Sequence, residues 1–91
     1  STMLERELTV SNRLGLHARA TAKLVQALAP FRCAVTLQAK GREVNAKSIM
    51  GVMLLAAGQG TPVTVRTDGV DEAEAMEAVV NLFENRFDED A

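Results

Sequence analysis

The feature that most constrains this fold is a pair of neighbouring strands with no room for a helix between them. In RCAVTLQAKGREVNA, residues 32–46, apolar and polar side chains alternate on both sides of Lys40 and Gly41. Alternation with a period of two is typical of a half-buried strand, and Gly41 can adopt the positive φ of a tight turn. The segment therefore predicts an antiparallel hairpin. The side chains predicted on its buried face are Cys33, Val35, Leu37, Ala39, Val44 and Ala46.

Two further strands are predicted, one before and one after this hairpin. Apolar and polar residues alternate in ERELTV, residues 5–10, which leads into the turn residues Ser11 and Asn12. The same alternation returns in VTVRT, residues 63–67, directly after Pro62. Proline is tolerated at the start of a strand because its missing N–H is not needed there. Both segments are interpreted as strands with one buried face.

Two segments between the strands have helical character. From Ala18 the apolar spacing becomes helical, and Pro30 predicts where that helix stops. The predicted buried face of this first helix consists of Thr21, Leu24, Val25 and Leu28. The second segment, KSIMGVMLLAAGQG at residues 47–60, is short enough for a buried strand, but Ser48 as N-cap favours a short helix weakened by Gly51.

A third helix is predicted in DGVDEAEAMEAVVNLFENRF, residues 68–87. Asp71 is the predicted N-cap, and Glu74 three residues later fits a capping box. The side chains predicted to form its buried stripe are Met76, Val79, Val80, Phe83 and Phe87. The full element order is then β-α-β-β-α-β-α.

This order predicts one α+β domain spanning residues 1–91, with an antiparallel sheet and helices that share one face. With 47% apolar and 24% charged residues, the composition is that of a compact globular protein. Ser1 and Thr2, which precede Met3, are interpreted as residues left by cloning. We expect no second domain in a chain of 91 residues.

Composition also excludes several classes of function. A net charge of -2 with three Phe and no Trp or Tyr is unlike a nucleic-acid-binding domain. The single Cys cannot form an intrachain disulfide, and one Cys with one His cannot supply a structural zinc site. No segment reaches the roughly 20 apolar residues of a membrane span, and the N-terminal residues do not resemble a signal peptide. We therefore expect a cytoplasmic protein without a bound metal.

The only histidine, His17, lies in NRLGLHARATAKL just before the first predicted helix. The amides of Ala18 and Arg19 would begin that helix and have no partner within it. The positive end of the helix dipole keeps a lone pair on the imidazole and favours an anion attached to it, such as a phosphoryl group. The guanidinium of Arg19 suits phosphate oxygens. The alternative is that His17 is simply an exposed residue before a helix, whereas hydrolytic and metal-binding roles have little support.

Three segments, GLHARATAKLV, NAKSIMGVMLLAAGQG and VRTDGVDEAEAM, resemble the HPr family, the histidine phosphocarriers of the bacterial phosphotransferase system. They occur in the order and spacing of that family. The resemblance implies an open-faced β-sandwich, in which three helices cover one side of four antiparallel strands. Ala20 departs from the family, which commonly has proline at this position.

The resemblance also implies residue roles. His17 would take a phosphoryl group on Nδ1 from enzyme I, with phosphoenolpyruvate as the original donor, and pass it to a histidine of an enzyme IIA domain. Arg19 would stabilise the phosphate, and no cofactor is implied. The protein would be a carrier rather than an autonomous catalyst. Ser48 matches the serine that a dedicated kinase, HPr kinase/phosphorylase, modifies in some bacteria. The alternative is that Ser48 serves only as an N-cap.

An apolar patch around the histidine is expected to dock both partners, since flexible methionines suit a shared surface. The candidates for this patch are Leu16, Ala20, Ile49, Met50 and Met53, whereas Val52, Leu54 and Leu55 are assigned to the core. We expect a monomer of the sugar-transport branch, with the nitrogen-related branch as the alternative. Two other functions are the alternatives. A regulatory binding module of the same fold is disfavoured because His17 and Arg19 are both present, and an unrelated small-ligand or RNA-binding domain is disfavoured by the net negative charge and the few aromatic residues.

Overall fold

A computed structural model describes residues 2–89 of the chain. Its core element is one four-stranded sheet with the spatial order β1-β4-β2-β3, and every neighbouring pair is antiparallel. The strands are β1 (Leu4–Thr9), β2 (Ala34–Ala39), β3 (Arg42–Asn45) and β4 (Pro62–Asp68). The predicted hairpin is confirmed, since Ala39 pairs with Arg42 across a turn in which Lys40 and Gly41 have φ of 53° and 77°.

Three helices complete the fold: α1 (Ala18–Leu28), α2 (Ile49–Leu54) and α3 (Glu72–Glu84), the last followed by a short 3-10 turn (Arg86–Asp88). Val35, Leu37, Val63 and Val65 of the sheet and Leu24, Leu28, Val79 and Phe83 of the helices are buried together in one core. The other face of the sheet is polar, and Arg66 there contacts Glu5 and Glu43 at 2.8 and 2.9 Å. The predicted open-faced sandwich is therefore confirmed.

The start of α3 differs from the predicted capping box. Asp71 occupies the N-cap position but makes no side-chain bond to the helix. Its carboxylate instead accepts the backbone N–H groups of Arg32 and Cys33, at 2.8 and 2.9 Å. These bonds, that of Arg32 foremost, hold the pKa of Asp71 below its usual value. The Asp71 carboxylate is thus bonded to the segment before β2 and not to α3. In place of the predicted bond from Glu74, the carboxylate of Glu72 accepts the N–H of Gly69, at 2.9 Å.

Two further assignments from the sequence are wrong in detail. Phe87 is buried as predicted but does not belong to α3, which ends at Glu84; it lies in the 3-10 turn with its ring 5.1 Å from Phe83. Leu54, assigned to the core, is 62% exposed, whereas Val52 and Leu55 are buried. The six-residue α2 presents only one face to the core, and Leu54 lies on the other.

Ser1, Asp90 and Ala91 lie outside the described residues. The interpretation of Ser1 as a residue left by cloning therefore concerns a residue that the structure does not describe. Between residues 2 and 89, no helix is long and apolar enough to cross a membrane. Within the same range, no group of three or more His, Cys, Asp and Glu side chains is arranged to hold a metal ion.

Candidate functional site

His17 is the residue immediately before α1, as predicted, and its imidazole caps the helix. Its backbone is extended, with φ of -76° and ψ of -178°, and its carbonyl accepts the N–H of Thr21 at 2.9 Å. The ring folds over the first turn, where Nδ1 accepts the backbone N–H of Arg19 at 3.1 Å. The side chain is 26% exposed, so the ring is both fixed and accessible.

The loop before His17 is fixed by close contact with the loop after α2. Gly15 has φ of 70°, and a Cβ built there would lie 2.5 Å from the carbonyl oxygen of Ala57. The next residue, Leu16, donates its N–H to that same oxygen at 2.9 Å, and its own carbonyl accepts the hydroxyl of Thr21 at 3.2 Å. Only glycine allows this close approach of the two loops, and the contact fixes the position of the chain just before His17.

The other ring nitrogen has a carboxylate partner that sequence reasoning missed. Nε2 of His17 lies 2.6 Å from Oε2 of Glu89, and Oε1 of the same carboxylate accepts Nδ2 of Asn12 at 3.1 Å. Asn12 is fully buried and also donates to the carbonyl of Gly15 at 2.7 Å. No local pattern links residues 72 positions apart in the chain, and the only signal was the acidic ending FDEDA.

The two contacts together determine the tautomer of the imidazole. Nδ1 accepts a backbone N–H, so it carries the lone pair; Nε2 must then carry the proton and donate it to Glu89. Partial burial raises the pKa of Glu89, but the hydrogen bonds from Asn12 and His17 lower it by more, and its net pKa lies below its ordinary value. Glu89 is therefore ionised at neutral pH, and Nδ1 is the ring nitrogen that carries the lone pair.

The cleft beside this ring is lined by both basic and acidic side chains. A cleft of about 450 Å³ is lined by Arg13, Leu14, His17, Arg19, Lys23, Asp88 and Glu89. The side chains of Arg13 and Arg19 are exposed, while Nζ of Lys23 donates to the carbonyl of Phe87 at 2.8 Å. Ala18 and Arg19, predicted to supply phosphate-binding amides, are the first two residues of α1. The cleft beside His17 thus combines three cationic side chains with two carboxylates, and the N–H of Arg19 is the helix-start amide that contacts Nδ1.

Ser48 caps α2 as predicted. Its hydroxyl accepts the N–H of Gly51 at 3.0 Å, and its carbonyl accepts the N–H of Val52 at 3.0 Å. Ser48 is half-buried, so its side chain caps the helix and is still partly accessible from solvent.

The structure exposes the three α2 residues of the predicted docking patch, Ile49, Met50 and Met53, but buries the two near α1. Leu16 and Ala20 are buried, because both side chains belong to the hydrophobic core. Neither can contribute an exposed apolar surface. The exposed apolar side chains in and beside the two predicted segments are Leu14, Ile49, Met50, Met53 and Leu54. Leu14 was missed by the sequence reasoning because a lone leucine in a polar loop has no periodic signal.

Residues 4–85 match the family model described as the PTS HPr component phosphorylation site. The chain belongs to the HPr family. It is 70% identical over 88 residues to the phosphocarrier protein HPr of Xylella fastidiosa strain Temecula1, and the match covers 97% of this chain and 99% of that one. An HPr-family protein of this similarity is a phosphocarrier of the phosphotransferase system.

Solved structures of the HPr family have the same fold. The crystal structure of HPr-C-His from Thermoanaerobacter tengcongensis matches with a TM-score of 0.93 at 40% identity, covering 97% of this chain and 99% of that chain. An HPr dimer from the same organism matches with a TM-score of 0.77 at 41% identity, over 90% of this chain and 94% of that one. The family fold therefore occurs in structures described as dimers as well.

Proposed function

We propose that His17 is the phosphoryl acceptor and donor of this HPr-family carrier, and that Nδ1 is the atom that bears the phosphoryl group. The observation that supports this assignment is the pair of hydrogen bonds on the ring, from the N–H of Arg19 to Nδ1 and from Nε2 to Glu89. The donor is phosphorylated enzyme I, which is charged by phosphoenolpyruvate, and the acceptor is a histidine of an enzyme IIA domain.

The transfer requires in-line attack by the Nδ1 lone pair on the phosphorus of the donor. As the new N–P bond forms, the bond from phosphorus to the donor histidine breaks, and its electron pair returns to that histidine. The N–H of Arg19, displaced from Nδ1, can then donate to a phosphoryl oxygen beside the amide of Ala18. Charge stabilisation and positioning carry such a reaction, and the guanidinium of Arg19 adds both.

A carrier must also release its cargo, and the modest strength of these groups permits that. The ring is 26% exposed, and Arg19 is on the surface where water and salt weaken its attraction. Since the binding elements are a helix end and exposed cations, the phosphoryl group remains available to the next partner. The protein is therefore proposed to act as a carrier without a cofactor, rather than as an autonomous enzyme.

Enzyme I and enzyme IIA are proposed to dock in turn on the exposed apolar side chains of α2. Met50 is 79% exposed, and Ile49, Met53 and Leu54 are also exposed, so four side chains of one short helix face outward. Flexible methionines adapt to partners of different shape. Leu14, which is 67% exposed and lines the cleft of His17, is proposed to contact the same partners.

Ser48 is proposed as a second, regulatory phosphorylation site, modified by HPr kinase/phosphorylase. A phosphate there would add a charge of about -1.5 to -2 beside the apolar side chains of α2. It would also replace the neutral hydroxyl that accepts the N–H of Gly51, at a helix start where a negative charge is favourable. Loss of docking, rather than unfolding of α2, is then the expected means of inhibition.

We also propose a branch of the family, a location in the cell and an oligomeric state for this protein. We place the protein in the sugar-transport branch because KSIMGVM, which is closer to that branch, is a longer match than FDEDA, which resembles the nitrogen-related branch. A location in the cytoplasm accords with a single buried cysteine that needs no oxidising compartment. We propose that the carrier acts as a monomer, since each copy holds a complete histidine site.

The proposed acceptor is tested with radiolabelled phosphoenolpyruvate and enzyme I. Wild type should acquire a phosphate that is labile in acid and stable in alkali, and His17→Ala should acquire none. An Arg19→Ala variant should still be labelled but more slowly. Equal labelling of wild type and His17→Ala would contradict the assignment, as would failure of wild type to be labelled at all.

A further inference from the structure

The turn that follows α3 has an unusual backbone. Arg86, Phe87 and Asp88 have φ of 54°, 53° and 63°, a left-handed conformation that residues with a Cβ rarely adopt. The turn persists because Phe87 is fully buried against Phe83 and its carbonyl accepts Nζ of Lys23. Backbone strain that the surrounding structure holds in place is a reason to ask what the segment does.

The consequence of this turn is that the chain folds back to the histidine and places Glu89 on it. The carboxylate is fixed from two sides, by Nε2 of His17 at 2.6 Å and by the buried amide of Asn12 at 3.1 Å. Asn12 in turn holds the carbonyl of Gly15, two residues before the histidine. The side chain of Glu89 is only 17% exposed, so the contact is built into the fold rather than left on the surface.

We propose that Glu89 is a positioning residue for phosphoryl transfer, which holds the ring through Nε2–H and stabilises the cationic ring of phosphorylated His17. This inference rests on the proposed role of His17 and deepens it. Glu89 does not touch the phosphoryl group; it acts through the imidazole, from the nitrogen across the ring from the reacting atom.

The charge balance of the reaction shows why a carboxylate helps. Nδ1 spends its lone pair on the N–P bond while Nε2 keeps its proton, so the phosphorylated ring gains one positive charge. The ionised carboxylate of Glu89 faces that charge across a short hydrogen bond. In the donation step the N–P electron pair returns to Nδ1, and the ring leaves as neutral imidazole because Nε2 is still protonated. A proton retained on Nε2 therefore favours both acceptance and donation of the phosphoryl group.

The other charged groups in the cleft do not replace Glu89. Arg13, Arg19 and Lys23 are cations, which oppose a positive charge on the ring. Asp88 is the remaining carboxylate lining the cleft, and its Oδ2 lies 3.6 Å from Nζ of Lys23. In the part of the chain from residue 2 to 89, Glu89 is the carboxylate that contacts His17.

Two variants and one matched control test the proposal. Glu89→Gln keeps an oxygen able to accept Nε2–H but removes the charge, and Glu89→Ala removes both. Glu84→Gln removes the same charge from an exposed position at the end of α3. Single-turnover transfer from phosphorylated enzyme I should slow about tenfold in Glu89→Gln and further in Glu89→Ala, with Glu84→Gln within about twofold of wild type.

A second measurement separates positioning from a structural role. In the phosphorylated protein, the ¹⁵N shift of Nε2 followed against pH should show proton loss about one pH unit lower in Glu89→Gln than in wild type. Unchanged transfer rates in both Glu89 variants would overturn the proposal, as would an unchanged Nε2 titration. If wild type takes no phosphate from enzyme I, the proposed function fails instead; normal labelling with wild-type kinetics in Glu89→Ala refutes the role of Glu89 alone.

Discussion

Replacing Gly15 with alanine should destabilise the loop that carries the histidine, and the structure gives the scale of the effect. At φ of 70° an alanine costs about 1 to 2 kcal/mol through its own backbone. Its Cβ would also lie 2.5 Å from the carbonyl oxygen of Ala57 and 2.8 Å from Cα of Gly58, both backbone atoms that cannot swing aside. Such overpacking costs about 1 to 3 kcal/mol more. We therefore expect a total loss of about 2 to 5 kcal/mol.

Gly41→Ala is the matched control, because Gly41 has almost the same φ, 77°, but nothing within 4 Å of its built Cβ. Both substitutions restrict the unfolded chain equally, so the difference between them isolates the close approach of the two loops. Thermal unfolding should place Gly15→Ala at least about 4 °C below Gly41→Ala, at about 4 to 8 °C per kcal/mol for a domain of this size. Equal melting temperatures would refute the reasoning.

Three further outcomes follow from other contacts. Ser48→Ala should lower the free energy of unfolding by about 1 kcal/mol in a urea titration, because the α2 cap is lost. Asp71→Asn should destabilise the protein at pH 7 and progressively less as pH falls below about 5 in the same titration. The N–H of Arg32 depresses the pKa of Asp71, so its contribution is present above the unfolded pKa and lost on protonation. Met50→Ser should raise the KM for enzyme I without changing the melting temperature, whereas Val70→Ser, 86% exposed outside α2, should change neither.

Local patterns were sufficient to predict the elements of this fold. Alternation in residues 32–46 predicts the hairpin because both strands expose one face of the same sheet, and a two-residue turn leaves them one way to pair. The end of α1 was also predictable, since Pro30 cannot continue a helix. The exposure of Leu54 was not predictable, because a helix of six residues, fewer than two turns, is too short for its periodicity to show which side faces outward.

Contacts between distant segments were beyond the reach of these patterns. Asp71 has the right type and position for an N-cap, but its carboxylate bonds to the amides of Arg32 and Cys33 that lead into β2 instead. Glu89 has no spacing relation to His17 and reaches it only through three left-handed residues, which no sequence signal favours. For both carboxylates the partner is set by tertiary packing rather than by the neighbouring sequence.

The two bonds on the imidazole differ in a way that suits a carrier. The bond from the N–H of Arg19 to Nδ1 is long, 3.1 Å, and joins neutral groups, so it can give way when the lone pair attacks phosphorus. The bond from Nε2 to Glu89 is 2.6 Å and involves a carboxylate, which makes it about twice as strong as a neutral one. The freed amide regains a partner in the phosphoryl oxygen. The ring can thus exchange one contact at each transfer while the other keeps its orientation unchanged.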